Sequence, residues 1–307
     1  MAWQLEDLTP QNGRTVVITG GNSGIGFEAA KALADKDARV IIACRDQNKA
    51  QTACDQIKAD NSAAEIEAVT LDLASLNSVR SCADELNQRC ERLDVLINNA
   101  GVMAIPRKDT EDGFEMQIGT NHLGHFALTA LLYPLLQSAS DARVVTVSSL
   151  AHLFGFINFA NLHGRMFYEP FTAYGQSKLA NLLFTYELDR RLRAADVDVL
   201  STACHPGIAS TSLGYAGPRM SGSPLGETLV QLYTSMVAQS ATDGALPTLY
   251  AGFAAEVQGG DYIGPDGLGE MRGNPRKVSS SFMSRSQTIA RQLWRVSEEA
   301  TGVQFAI

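Results

Sequence analysis

The sequence predicts a single-domain α/β protein built on a doubly wound parallel sheet of about seven strands flanked by helices. Three observations carry this. Short β-branched runs alternate with helix-patterned segments along the 307-residue chain, the pattern of βαβ units. Most of these runs are apolar at every position, as strands buried on both faces must be. The first run ends in a glycine-rich turn, TGGNSGIG (residues 19–26), which opens a helix.

The elements follow in order. RTVVITG (14–20) reads as a strand, and residues 24–35 as a helix with Ala29, Ala30, Leu33 and Ala34 as its apolar stripe. ARVIIAC (38–44) is the second strand and about 46–59 a polar helix; EIEAVTLDL (65–73) is the third strand, and Ser75 caps a helix to about residue 90. DVLINNAG (94–101) is a strand ending in a polar turn, and a long helix spans about 112–136. ARVVTVSS (142–149) is a strand, residues 172–193 a helix and VDVLSTACHPG (197–207) a strand. Helices are expected at 225–238 and 242–253, a short strand near Tyr262, and a last helix through ARQLWRVSEEA. No linker resets the alternation and no solenoid repeat is present. One domain over 1–307 is therefore expected, with its core at about 13–265 and a helical extension at about 284–301. The Gly- and Pro-rich stretch 214–224 reads as a loop or lid over a site.

The composition narrows the function. A net charge of -8 repels phosphate backbones, which excludes nucleic acid as a partner. Five cysteines without a CxxC read as free thiols in a reducing compartment. The N-terminal MAWQLEDLTPQNGR lacks a basic segment followed by an apolar core. The longest apolar run, 126–136, is interrupted by Thr129 and Pro134 and falls below the ~18 residues of a membrane span. A soluble, cytoplasmic protein with a small-molecule substrate is expected.

In TGGNSGIG the glycines Gly20, Gly24 and Gly26 sit where strand becomes helix. Without a Cβ the backbone turns sharply there, and a pyrophosphate can approach the free N–H groups and positive end of the helix. Asn22, Ser23 and Ile25 complete the turn. The spacing is TGxxxGxG rather than GxGxxG, and at this point the chain is identified as similar to the short-chain dehydrogenase/reductase family, with its Rossmann-type fold.

At the end of the second strand, where NAD-binding folds place an acidic residue, the sequence reads IIACRD, with Cys44 in that place and Arg45 next. A guanidinium fork suits a phosphate that a carboxylate would repel, so NADP(H) is expected over NAD(H). In the alternative reading Arg45 is a solvated charge and Asp46 serves the ribose. By resemblance to the family, Asp72, with Leu73 beside it in TLDLAS, lies by the adenine, and Asn99, Ala100 and Gly101 of NNAG form the adenine pocket and a sheet-stabilising turn.

Hydride transfer to a carbonyl leaves an alkoxide that needs a proton. Tyr174 and Lys178 in AYGQSK are spaced i and i+4 and share a helix face. A nearby cation lowers the phenol from its ordinary pKa of ~10. Ser149 closes the strand RVVTVSS at the carboxyl edge, where a hydroxyl can bond a substrate oxygen. Ser148 is the other candidate, and strand alternation lets only one of them point inward; the resemblance favours Ser149. Asn121 in GTNHLGHF corresponds to the family's asparagine at a helix irregularity, which holds a water linking the lysine to solvent. His122 and His125 give HxxH without an evident third ligand, so no metal is expected. HPGIAST resembles the family's PGxxxT, in which Pro206, Gly207, Ile208 and Thr211 hold the nicotinamide carboxamide.

Within the family, ACRD, DLASL, TNHLGHF, SSLAH and SKLAN most resemble retinol dehydrogenase-like members, including the WW-domain oxidoreductases, with some likeness to light-dependent protochlorophyllide reductase. The expected function is an NADP(H)-dependent carbonyl reductase or alcohol dehydrogenase. The rivals are a non-catalytic NADP(H)-binding scaffold or sensor, and a specialised reductase of the protochlorophyllide type. The aromatic-rich insert LFGFINFANLHGRMFYEPF, between Ser149 and Tyr174, is expected to line the substrate entrance. Relatives pair as homodimers or homotetramers through the helices holding Asn121 and Tyr174, and the insert and the C-terminal tail bear on that pairing.

Overall fold

A computed structural model describes residues 2–208 and 239–307. The strands are β1 (Thr15–Thr19), β2 (Arg39–Cys44), β3 (Ile66–Thr70), β4 (Val95–Asn98), β5 (Ala142–Val147), β6 (Val199–Cys204), β7 (Tyr262–Pro265) and β8 (Pro275–Lys277). They form one sheet in the order β3-β2-β1-β4-β5-β6-β7-β8. Pairings from β3 through β7 are parallel, while β8 runs antiparallel to β7. The expectation of about seven strands lacked β8, which has three residues, PRK, of which only Pro275 is buried. So short and polar a run has no periodicity to read.

Alternation across the pleat divides the core in two. Val16, Ile18, Val40, Ile42, Val95 and Ile97 face helices α1 (Gly24–Ala34), α2 (Gln47–Asp60) and α7 (Ala241–Phe253). Val17, Ile41, Leu96 and Val144 face α3 (Leu76–Arg89), α5 (Gly124–Gln137) and α6 (Pro170–Ala194). Each fully buried Val, Ile or Leu contributes about 1.5–3 kcal/mol, which explains the apolar runs. The last helix, α8 (Gln287–Thr301), lies over α5 and α6, where Trp294 and Phe305 pack against Phe126 and Phe184.

Several boundaries move for local reasons. β3 ends at Thr70 because the chain turns at Asp72, whose carboxylate accepts from Ala74 N at 3.0 Å while its N–H donates to Ser78 Oγ at 2.9 Å. The expected helix at 112–136 begins at Met116, as the short α4 (Met116–Ile118). It then passes through a π-helical turn, Gly119–Leu123, before α5. Asp46 is not in α2 but caps it, accepting from Lys49 N at 3.1 Å. The loop expected at 214–224, the helix at 225–238 and Thr211 lie outside the described residues.

The chain crosses from β3 over β2 and β1 to reach β4, so β1 and β4 flank the point where strand order reverses. Sheets of this kind bind ligands in the crevice above the carboxyl ends of such a pair.

Candidate active site

Two glycines shape the mouth of that crevice. Gly20 adopts φ +67, which a Cβ would strain, and a Cβ on Gly26 would lie 2.5 Å from Gly20 O. The turn is therefore closed by contact between its own backbones. Ser23 holds the N-cap position of α1 without a side-chain cap bond, so the first-turn N–H groups have no side-chain partner. A cavity of about 300 Å³ opens beside the turn and is lined by Gly20, Asn22, Arg45, Asp72, Leu73, Ala100 and Gly101 among others. Of the residues expected to bind cofactor, those seven come together there. Ser23, Gly24, Ile25, Gly26, Asn99, Tyr174, Lys178, Pro206, Gly207 and Ile208 do not line it. Asn99 instead braces the turn, donating from Nδ2 to Thr19 O at 2.8 Å.

Arg45 reaches over the cavity edge with its side chain largely exposed, and its nearest carboxylate is Asp72 at 3.9 Å. Lys49, in the first turn of α2, lines the same cavity and had no motif to mark it. One Asp46 oxygen is engaged by Lys49 N, the capping bond, and the Lys49 ammonium lies 3.6 Å from the other.

Behind the cavity, Asn121 sits in the π turn. Its Oδ1 accepts from Val102 N at 2.8 Å, and its Nδ2 donates to Val102 O and to Ser177 Oγ, both at 2.9 Å. Its side chain thus ties the segment after β4 to α6. Its carbonyl accepts from His125 Nδ1 at 3.0 Å, which leaves His125 Nε2 to accept from the Thr19 hydroxyl at 2.9 Å. Thr19 Oγ1 also accepts from the backbone N–H of Asn99 and Ala100, each at 2.9 Å. One threonine therefore joins the ends of β1 and β4 to the π turn. The HxxH rings diverge, since His122 Nε2 bonds Ser297 Oγ of α8 at 2.9 Å.

The two serines part as strand alternation requires. Ser148 is buried and donates to Lys178 O at 2.8 Å. Ser149 turns the other way: its Oγ accepts from Ala151 N at 3.2 Å, and its hydroxyl acts to lower the Tyr174 phenol. Lys178 Nζ donates to Val147 O at 3.0 Å and lies 5.7 Å from the centre of the Tyr174 ring. A Cβ on Gly101 would stand 3.7 Å from Lys178 Nζ and 3.0 Å from Asn121 Oδ1, so Gly101, which lines the cavity, packs closely against both. Burial pushes the Tyr174 phenol up to about 12, against a lesser lowering by Ser149, and pushes the Lys178 ammonium down to about 8. The expected lowering of Tyr174 by its cation is absent: Lys178 is not among the groups that shift the phenol, and desolvation sets the direction.

The insert is pinned from below. Tyr168 donates to Ile105 O at 2.7 Å and accepts from Gln117 Nε2 at 2.8 Å. Phe154, Phe156, Met166 and Phe167 are exposed, and the Phe171 ring lies 6.3 Å from that of Tyr174. At the end of β6, Gly207 takes φ +63 and Ile208 N donates to Met271 O at 2.7 Å. Among the described residues no group of three or more His, Cys, Asp or Glu side chains could hold a metal. No helix there is long and apolar enough to cross a membrane.

A doubly wound sheet with a glycine turn at its switch point and a buried Ser–Tyr–Lys cluster at its carboxyl edge defines a class, the Rossmann-type oxidoreductases. The comparisons give the family. The model for short chain dehydrogenase matches residues 14–217. Human retinol dehydrogenase 13 is 40% identical over 296 residues, covering 95% of this chain and 86% of its own. Mouse retinol dehydrogenase 14 is 41% identical over 305 residues, covering 95% and 87%. A crystal structure of an uncharacterised Mycobacterium paratuberculosis protein superposes with TM-score 0.81 at 42% identity over all of both chains. The Pseudomonas aeruginosa RhlG/NADP active-site complex, at 24% identity and TM-score 0.64 over 82% of this chain and 94% of its own, shares the fold. The chain belongs to the short-chain dehydrogenase/reductase family, in its retinol dehydrogenase-like branch, a family of oxidoreductases that bind a nicotinamide cofactor.

Proposed function

We propose that the protein is an NADP(H)-dependent oxidoreductase acting on a carbonyl or secondary alcohol, with Tyr174 as the general acid and base. The chain is read as one domain that both binds the dinucleotide and carries the chemistry. The observation that carries the reading is the buried Tyr174, whose ring centre lies 5.7 Å from the buried Lys178 ammonium, with the Ser149 hydroxyl acting on its phenol.

The residues fit a nicotinamide dinucleotide: the glycine contacts leave no room for side chains where a pyrophosphate would lie, and the Ser23 N-cap leaves helix N–H groups without a side-chain partner. Gly20 to Gly26 would hold the pyrophosphate, Arg45 and Lys49 a 2′-phosphate, Asp72, Leu73, Ala100 and Gly101 the adenosine, and Pro206, Gly207, Ile208 and Thr211 the nicotinamide end. Bound there, the cofactor supplies or accepts the hydride.

At neutral pH burial keeps Tyr174 a phenol, the form that gives its proton to an oxygen becoming an alkoxide. Ser149 holds that oxygen and steadies its developing charge. Lys178, buried one helical turn along α6, stabilises the tyrosinate left behind. Asn121 keeps the relay side in order by fixing Val102 and Ser177, and its carbonyl has a second lone pair beyond the one His125 uses. In the oxidative direction Tyr174 takes the proton. The relatives are named retinol dehydrogenases, and the exposed apolar insert beside Tyr174 suits a substrate with a large apolar body.

The test is a dinucleotide-oxidation screen over ketones, aldehydes and quinones with NADPH and NADH, repeated with Tyr174→Phe. Loss of about 10²–10⁴-fold in turnover, with dinucleotide binding kept, is expected. Near wild-type turnover in a folded variant refutes the role of Tyr174.

A further inference from the structure

The turn at 206–208 has all its inward backbone groups tied. Pro206 O accepts from Gln239 Nε2 at 2.8 Å, Ile208 N donates to Met271 O at 2.7 Å, and Gln239 N donates to Ile208 O at 2.9 Å. The remaining amide, Gly207 N, donates to His205 Nδ1 at 3.2 Å. That bond fixes the ring's tautomer: Nδ1 accepts, so Nε2 carries the proton and donates to Glu270 Oε2 at 3.1 Å. The ring has no freedom to choose otherwise. It is fully buried, and a Cβ on Gly264 would stand 2.0 Å from its Nε2.

Glu270 reaches His205 from a backbone that disfavours it. It has φ +56 and follows Gly269 at φ +61, so a residue with a Cβ occupies a left-handed position next to a glycine. Glycine would hold that conformation without strain. A side chain kept at a strained position points to what the side chain does. Here it is, among the described residues, the only acceptor on the imidazole that orients the Gly207 amide.

We infer that Glu270 is a positioning residue: acting through His205, it sets the Gly207 amide and with it the turn at 206–208 for the nicotinamide end of the cofactor. This rests on the dinucleotide reading of the site. Glu270 does not touch the reacting atoms. By accepting from Nε2 it holds the ring proton there and leaves Nδ1 to accept from Gly207 N, so that the turn meets the cofactor already ordered. The loop itself has independent anchors in Met271 and in Gly273, whose N–H donates to Gln239 Oε1 at 3.1 Å. Its fold therefore does not depend on the Glu270 carboxylate.

The test compares Glu270→Gly, Glu270→Gln and wild type by thermal unfolding and by fluorescence titration with NADPH and NADH. Glu270→Gly relieves the strained backbone while removing the acceptor. Its Tm is expected to be equal to or above wild type while dinucleotide binding weakens about tenfold, read in KM for the dinucleotide rather than in kcat. Glu270→Gln keeps an acceptor oxygen and is expected to restore most of the affinity. Wild-type affinity in Glu270→Gly, or a fall in Tm without a change in affinity, overturns the inference. Wild-type protein that binds neither dinucleotide overturns the cofactor reading itself, and the inference with it.

Discussion

Lys178 Nζ lies 5.7 Å from the centre of the Tyr174 ring and, among the described residues, is held there by a single acceptor, Val147 O at 3.0 Å. An ammonium buried with one neutral partner is under-compensated, and its pKa falls from 10.5 to about 8. The same burial that makes the pair poised for proton transfer makes it a weak point of the fold.

That weakness has a pH signature. Between pH 8 and 10.5 the unfolded chain keeps a proton on Lys178 that the folded chain has shed. Unfolding then takes up a proton, so stability rises with pH through this window. Relative to Lys178→Met, wild type is expected to gain about 2 kcal/mol between pH 7 and about 9.5. Urea unfolding at the two pH values measures it. The opposing contribution of Tyr174, raised from 10.0 to about 12, begins only above pH 10. A constant difference between the two proteins would mean that Lys178 stays charged in the fold.

Ser148 and Ser149 are adjacent and do different work. Ser148→Ala removes a buried bond to Lys178 O and is expected to cost about 1 kcal/mol of stability. Ser149→Ala removes the hydroxyl that acts on Tyr174 and is expected to lower kcat about 10²-fold with little change in Tm. Unfolding curves and steady-state rates on both variants separate the roles. Reversed effects would exchange the two serines.

The pattern of what was legible follows the range of the contacts involved. Runs such as RTVVITG and ARVVTVSS declare buried strands because their apolar residues alternate between the two core layers, Val16, Ile18, Val145 and Val147 in one and Val17, Ala142 and Val144 in the other. TGGNSGIG and YxxxK are local, since their spacing is their geometry. Less was legible where partners are far apart in sequence. The Thr19–His125 bond spans 106 residues, and the antiparallel β8 takes its register from β7 alone. Asn99 matched a motif for cofactor binding, yet its side chain bonds Thr19 O across 80 residues. Lys49 lacked any motif, and only the cavity groups it with Arg45.

That grouping sharpens the cofactor choice. Arg45 and Lys49 bring two cations to one edge of the cavity, while the Asp46 carboxylate is engaged with Lys49. Arg45→Ala is expected to raise KM for NADPH about tenfold or more and to leave KM for NADH nearly unchanged. Lys49→Ala should act in the same direction with a smaller effect, since an ammonium makes no bidentate contact. Initial rates with both dinucleotides decide it, and equal effects on the two would remove the 2′-phosphate reading.

His122 and His125 set the acid limit of the fold. Burial lowers them from 6.5 to about 3 and about 4. As pH falls below 6.5 the unfolded chain takes up protons that these two buried rings refuse, so stability is lost as pH falls toward 4. Together they are expected to give a slope of roughly 2 kcal/mol per pH unit between pH 6 and 5, with His152, lowered by burial in the same direction, adding to it. Replacing either ring by glutamine should lower the starting stability but flatten the slope. The two variants should differ in function, because His122 bonds Ser297 of α8 while His125 bonds Thr19 under the glycine turn. His125→Gln is therefore expected to weaken dinucleotide binding at neutral pH where His122→Gln does not. Titrating both variants with NADPH at pH 7.5, beside unfolding series at pH 6 and 5, tests this. If the slope keeps its wild-type value in both, the rings accept protons in place and acid lability originates elsewhere.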